Sequence, residues 1–175
     1  MKTIAINGLF YTRRIDGLYR YNNEIIHAMD KIVEPGEACL LVPEYTQNIP
    51  ILKNISAIRY GKQKGRLWDQ TSFGYYVWSH KMISLDMCNT TVLWHPGVTC
   101  VHDLLYKDMA AYFNTAKGKI AVVWSRLNYW IIARSKQPIF TVSEYSKKRI
   151  CSAYNVNPNR VHVAYSSWQH IRDVK

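Results

Sequence analysis

A chain of 175 residues is the size of one α/β domain and can bury roughly two thirds of its unfolded surface, so a single core is expected. The 48% hydrophobic and 13% aromatic fractions exclude a disordered polar chain, and the 20% charged fraction is ordinary for a soluble protein. The net charge of +11 favours an anionic partner: phosphate, an acidic membrane surface or nucleic acid. From charge alone a solvated basic face reads equally well.

Residues 3–7 are β-prone and end at Gly8, and the polar segment 11–17 separates them from a helical pattern of Leu18, Tyr21, Ile25, Ile26, Met29 and Val33. Glu34-Pro35-Gly36-Glu37 stops that helix. The apolar run 38–42 suits a strand covered on both faces, hence a parallel sheet. A weaker strand follows at 55–59, then a helix from near Arg66 marked by Leu67, Thr71, Tyr75 and Trp78, and a strand at 82–85. The next strand, 98–101, ends at His102-Asp103. A long helix follows, carried by Ile120, Val123, Trp124, Leu127 and Ile131. Residues 139–142 are a strand, Ser143 a helix cap, 150–154 the end of a short helix, and 161–164 the last strand. This alternation predicts an α/β fold, a Rossmann-like doubly wound, mostly parallel sheet with helices on both faces. Residues 1–165 form that domain, and 166–175 read as the approach to another.

The stretch 120–133 is interrupted by Ser125, Arg126 and Asn128 and falls short of the ~20 residues of a membrane span. The N-terminus has no signal-peptide pattern, so a cytoplasmic location is expected. Cys39, Cys88, Cys100 and Cys151 form no Cys-x-x-Cys pair, and Cys39 and Cys100 lie in strand-like runs as reduced core residues. His95, next to Pro96-Gly97, reads as a turn residue, and His27, His80, His162 and His170 have no partner at metal-ligand spacing, so no bound metal is expected.

In an open α/β sheet, ligands gather where strand carboxyl ends meet helix N-termini, here the loops 10–17, 88–91, 102–108 and 143–146. Arg13, Arg14 and Gly17, with Arg20 in the following helix, offer guanidinium forks and backbone N–H groups to a phosphate or diphosphate. The plain reading is a glycine required by the turn. His102 can reach ligand hydroxyls or a developing charge, with Asp103 beside it. Alternatively, Asp103 caps the next turn and His102 bonds to backbone. Glu144 favours the helix dipole and also faces the expected cleft. Lys147-Lys148-Arg149, and Lys62, Lys64 and Arg66 near Trp68, Tyr75, Tyr76 and Trp78, suit an anionic lipid surface. Those aromatics equally fit a buried helix stripe or a single-stranded nucleic-acid surface.

Several segments, in order, resemble glycosyltransferase family four, particularly enzymes of bacterial O-antigen (lipopolysaccharide) and capsule polysaccharide biosynthesis. Gly17-Leu18-Tyr19-Arg20-Tyr21 is similar to the family's Gly-Ile-Gly-Arg-Tyr, and Leu67-Trp68-Asp69-Gln70 to its Leu-Trp-Glu-Gln. Cys88-Asn89-Thr90-Thr91 resembles a Cys-Asn-Thr-Gly loop, with Thr91 where glycine is usual. Val101-His102-Asp103-Leu104 is similar to Ile-His-Asp-Leu, and 141–147 to Thr-Val-Ser-Glu-Phe-Ser-Lys. Val161 to Tyr165, with Ser167-Trp168-Gln169-His170, resembles the segment leading into the interdomain linker.

The resemblance implies the N-terminal, acceptor-side half of a GT-B glycosyltransferase, retaining and metal-independent. It would transfer a hexose-type sugar from a nucleotide-diphosphate sugar to a lipid-linked saccharide acceptor, peripherally at the inner membrane face. His102 and Asp103 would act on or beside the transferred sugar. Arg13, Arg14, Gly17, Arg20, Asn89, Thr90, Ser143 and Glu144 would line the substrate cleft. The donor domain, with its paired glutamates, would lie beyond Lys175, so the chain alone is expected to be inactive and to bind no cofactor itself. The alternatives are a non-catalytic binding subunit or relic of a split transferase and, with no nucleic-acid motif to support it, a basic nucleic-acid-binding protein.

Overall fold

Apolar runs of strand length become strands across residues 3–165, which the computed structural model describes. Seven strands occur among them, paired in parallel; helical segments connect most of them, while residues 43–55 and 87–97 join their strands without a helix. The fold is α/β and Rossmann-like, of the doubly wound kind. The described residues divide into two units, one reaching through Ile83 and including Tyr165, the other Ser84–Ala164. Residues 166–175, expected to begin a linker, lie outside the described residues, as does His170.

In the first unit, β1 (Ile4–Asn7) pairs with β2 (Ala38–Val42), Ile6 opposite Leu40, and β2 pairs with β3 (Ser56–Arg59), Leu41 opposite Ile58. Every residue of β2 is buried, as a strand covered on both faces must be. Gly8 follows β1 where a Cβ would lie 2.6 Å from the Leu41 carbonyl oxygen, so sterics fix the glycine there. A 3-10 turn, Leu9–Thr12, leads to α1 (Gly17–Asp30), capped by Asp16. The Asp30 carboxylate accepts the N–H groups of Lys53, Asn54 and Ile55 at 2.7–2.9 Å and so fixes the approach to β3. Those bonds hold its carboxyl below the ordinary range.

The helix expected from near Arg66 is broken into α2 (Gly65–Trp68), a π-helical turn (Asp69–Phe73) and α3 (Gly74–Ser79). Its buried face carries Trp68, Asp69, Phe73 and Val77, whereas the markers Leu67, Thr71, Tyr75 and Trp78 are exposed. Both rows satisfy a helical period, and packing chose the one whose Trp68 indole N–H reaches the Tyr60 carbonyl at 2.7 Å. Of the aromatics beside Lys62, Lys64 and Arg66, Trp68 is therefore core, Tyr76 is half-buried, and Tyr75 and Trp78 are surface.

In the second unit the order is β4-β5-β6-β7, with β4 at Ile83–Asp86, β5 at Val98–Cys100, β6 at Ile139–Thr141 and β7 at Val161–Val163. The single long helix expected after His102-Asp103 is preceded by a short α4 (Leu105–Asp108) and a 3-10 turn (Ala110–Tyr112). The long helix itself is α5 (Ala116–Arg134). Thr115 caps α5 by accepting the Gly118 N–H, and α6 (Glu144–Tyr154) ends on Asn155 in the left-handed region at φ 52°.

The core of this unit joins Val101, Leu104, Tyr129, Ile132, Ile139 and Ile150 with Val156 and Val161. From α5 it takes Tyr129 and Ile132, on a buried face that also carries Val122, Ser125 and Asn128. The rhythm of Ile120, Val123, Trp124, Leu127 and Ile131 identifies the helix but not its core side: Ile120, Val123 and Leu127 are exposed, and Trp124 and Ile131 only half-buried. None of the four cysteines is in a disulfide, and Cys39 and Cys100 are buried. No helix among the described residues is long and apolar enough to cross a membrane.

Candidate ligand-binding site

The loop after β1 is held from inside the first unit. Asn7 donates its amide N–H to the Asp69 carboxylate (2.9 Å), while its amide oxygen accepts the N–H of Leu9 (3.1 Å). Asp69 is 3% exposed. Burial pushes its carboxyl up from an ordinary 3.8 to about 6, against the pull of Asn7, Arg13 and Arg66. A buried carboxyl thus anchors the loop that presents Arg13 and Arg14, both exposed, as are Gly17 and Arg20.

The N-terminus of α1 differs from a simple anion cradle. The Asp16 carboxylate accepts the Tyr19 N–H at 2.8 Å, so a negative charge already sits where a phosphate would dock on the helix dipole. Any anion must therefore be held by the neighbouring arginines. Gly17 has no positive φ and no atom within 4 Å of the place a Cβ would take. The turn does not require it, which corrects the plain structural reading.

In the second unit three loops meet at His102. Asn89, at φ 58°, accepts the His102 backbone N–H on its side-chain oxygen (2.6 Å). The His102 imidazole bonds the Met87 carbonyl through Nε2 (2.9 Å), and the Ser146 hydroxyl donates to the His102 carbonyl (2.9 Å). The loops after β4, β5 and β6 are thereby tied through one residue. A carbonyl partner requires the proton on Nε2, so Nδ1 is the acceptor nitrogen. Burial lowers the imidazole pKa, outweighing the Met87 carbonyl and the Asp103 charge, and so favours the neutral ring.

Asp103, exposed, accepts the N–H of Leu105 at 2.9 Å and caps the turn into α4. Both bonds belong to the alternative reading of the His-Asp pair, a histidine on backbone beside a capping aspartate. Ser143 caps α6, accepting the Ser146 N–H and donating its hydroxyl to Ser146 (both 3.1 Å). Glu144 is exposed in the first turn of that helix, and Thr90 is half-buried beside Asn89.

A groove of about 340 Å³ opens against Asp103, Leu104, Met109, Tyr145, Ser146 and Arg149, among others. The Asp108 carboxylate, also on its wall, forms a bidentate pair with Arg149. Arg149 is thus committed, and of the basic triplet only Lys147 and Lys148 carry charges outside that pair. Among the described residues no three His, Cys, Asp or Glu side chains converge as a metal centre would require.

Several contributors carry no sequence signal for the site. Asn128, wholly buried in α5, accepts the Thr91 N–H (3.0 Å) and donates to the Trp124 carbonyl (2.9 Å), pinning the 88–91 loop. Asp86, buried at the end of β4, accepts from Ser84 at 3.0 Å. Tyr129 Oη and Thr141 Oγ1 are buried hydroxyls with no hydrogen-bond partner among the described residues. Asp69 and Asn7, 62 positions apart, are invisible as a pair to any local pattern.

Compared with models of protein families and with curated proteins, the sequence matches none.

Proposed function

We propose that this chain is the acceptor-side part of a GT-B sugar-transferring enzyme, holding a polyprenyl-diphosphate-linked saccharide while a donor domain presents a nucleotide sugar. The observation that carries the reading is placement. The segments resembling the family's motifs fall after the carboxyl ends of parallel strands, at Gly17–Arg20 beyond β1, Asn89–Thr90 beyond β4, His102–Asp103 beyond β5 and Ser143–Glu144 beyond β6. Gly17 adds support, because an exposed glycine that neither backbone angle nor space requires suits close approach of a ligand.

In this reading Arg13, Arg14 and Arg20 carry the diphosphate charge, offsetting Asp16. Neutral His102 contributes a hydrogen bond and a fixed wall rather than a positive charge, and Asp103 orders the turn into α4. The test is titration of the chain with a polyprenyl-diphosphate saccharide in detergent. Saturable binding that falls about tenfold or more in Gly17→Ala and Arg20→Ala, with thermal melting no lower than the parent's, supports the reading. Equal binding by both variants removes the proposed site.

A second reading, a non-catalytic binding subunit, is favoured by His102 itself, whose Nε2 proton is spent on the Met87 carbonyl. The two readings part when the chain is combined with a donor domain. Sugar transfer that is lost in His102→Ala supports the enzyme, and acceptor binding without transfer in any combination supports the subunit.

A further inference from the structure

Helix α5 has two apolar faces. At about 100° per residue, Val122, Ser125, Tyr129 and Ile132 point into the core, while Ile120, Val123, Leu127 and Trp130 form a second stripe on roughly the opposite side. The stripe is exposed: Ile120 65%, Val123 68%, Leu127 41% and Trp130 50%. Leu105, Met109 and Tyr112, just before α5, are also exposed. Four large apolar side chains aligned along three turns exceed the scattered apolar residues of an ordinary surface.

The charge around the stripe has one sign. Helix α5 contains Lys117, Lys119, Arg126 and Arg134 and no acidic residue. Over 105–136 the only acid is Asp108, which is paired with Arg149. On the helix, Lys119 and Arg126 flank one side of the stripe, Lys117 the other, and the Arg134 guanidinium lies over the Trp130 ring at 5.4 Å. A basic border round an apolar strip with an indole near its end is the complement of a headgroup layer over acyl chains. A second copy of the chain is the poorer occupant, since face-to-face docking would set these cations against their own copies at a net charge of +11 each.

We propose that α5 is an in-plane membrane-docking helix. Its Ile120–Trp130 stripe enters the acyl boundary of an anionic bilayer, and its lysines and arginines lie among the headgroups. The surface is distinct from the basic groups 62–66 and 147–149 singled out from sequence. It stands independently of sugar transfer, because a chain of any activity with this face would bind such vesicles.

The test is sedimentation of the full chain with vesicles of phosphatidylcholine alone, or with about a third phosphatidylglycerol. Binding is expected only to the anionic vesicles and should weaken steeply as salt rises. Val123→Ser/Leu127→Ser is expected to weaken it on the order of tenfold or more. Lys117→Ala/Lys119→Ala should reduce it by about fivefold for each charge lost. Circular dichroism and melting should not change, since these side chains lie outside the core. Tyr75→Ser/Trp78→Ser, on the other exposed aromatic group, should bind as the parent does. No binding to anionic vesicles, or equal binding by Val123→Ser/Leu127→Ser, overturns the proposal. So does a concentration-dependent dimer abolished by that double variant in a chain that ignores vesicles.

Discussion

Replacing Asp69 by Asn should make the protein more stable at neutral pH, although it alters a buried hydrogen-bonded carboxylate. The carboxyl is 3% exposed, its bonded oxygen takes one proton from Asn7 at 2.9 Å, and burial raises its pKa from 3.8 to about 6. At about 1.4 kcal/mol per pH unit, ionising it in the folded state costs on the order of 3 kcal/mol, against a typical stability of about 5–15 kcal/mol. The sign follows from proton uptake: between the two pKa values the native state holds more proton than the unfolded chain. Its contribution to stability is therefore fully present below pH ~4 and lost as pH rises through about 6. Asparagine retains an oxygen for Asn7 and carries no charge. Urea unfolding of both proteins at several pH values from 4 to 8 isolates the effect, because other titrating groups cancel in the difference. The curves should coincide near pH 4 and separate by up to about 3 kcal/mol, in favour of Asp69→Asn, at pH 7.5. A variant that loses stability relative to the parent as pH rises from 4 to 7.5 would refute the reasoning and mean that Asn7, Arg13 and Arg66 outweigh burial.

Five further variants have outcomes set by the geometry. Gly8→Ala should cost about 2 kcal/mol or more in chemical unfolding, because its Cβ meets the Leu41 carbonyl oxygen, whereas Gly17→Ala should cost nothing or stabilise by up to ~1 kcal/mol. Asp16→Asn keeps a good cap while removing the anion at the α1 terminus, so calorimetric titration with inorganic pyrophosphate should show tighter binding, by about twofold to fivefold. Asn89→Ala should cost about 1–3 kcal/mol in urea unfolding, from an orphaned His102 N–H and an alanine forced to positive φ. Tyr129→Phe should leave the melting temperature unchanged or raise it, since it deletes a buried hydroxyl that no described residue satisfies.

The strands were legible because their physics is local. A run such as 38–42, apolar at every position, has few uses other than a doubly covered strand, and alternation with helical segments then limits the topology. Helix α5 was legible as a helix and not as a surface. Its sequence is apolar on opposite sides, so periodicity alone cannot say which side is core. That was decided by Tyr129 and Ile132 packing against Val101 and Ile139, and by Asn128 finding the Thr91 N–H. The helix around Asp69 misled in the same way, with two rows of i, i+4 residues and a π-helical turn that leaves no mark in composition.

Sequence put the candidate residues in loops that follow strands, but it did not show the bonds within those loops. The histidine proton and the Ser146 hydroxyl are both spent on backbone carbonyls, of Met87 and of His102, and every residue has a carbonyl. Asp16 was not singled out from sequence, and its capping bond to the Tyr19 N–H is known only from the fold.

His102 has its amide, carbonyl and ring engaged by partners 13 to 44 positions away in sequence. No local segment can supply them, so the fastening cannot close until β4, β5 and β6 lie side by side and α6 has begun. Its loops are therefore late arrivals in folding and must let go together when the native state loosens. The amide of His102, covered by an Asn89 side chain rather than by a strand, becomes a natural clock for that opening. Its rate of exchange with deuterated solvent measures how often the whole constellation comes apart while the strands beneath it remain paired.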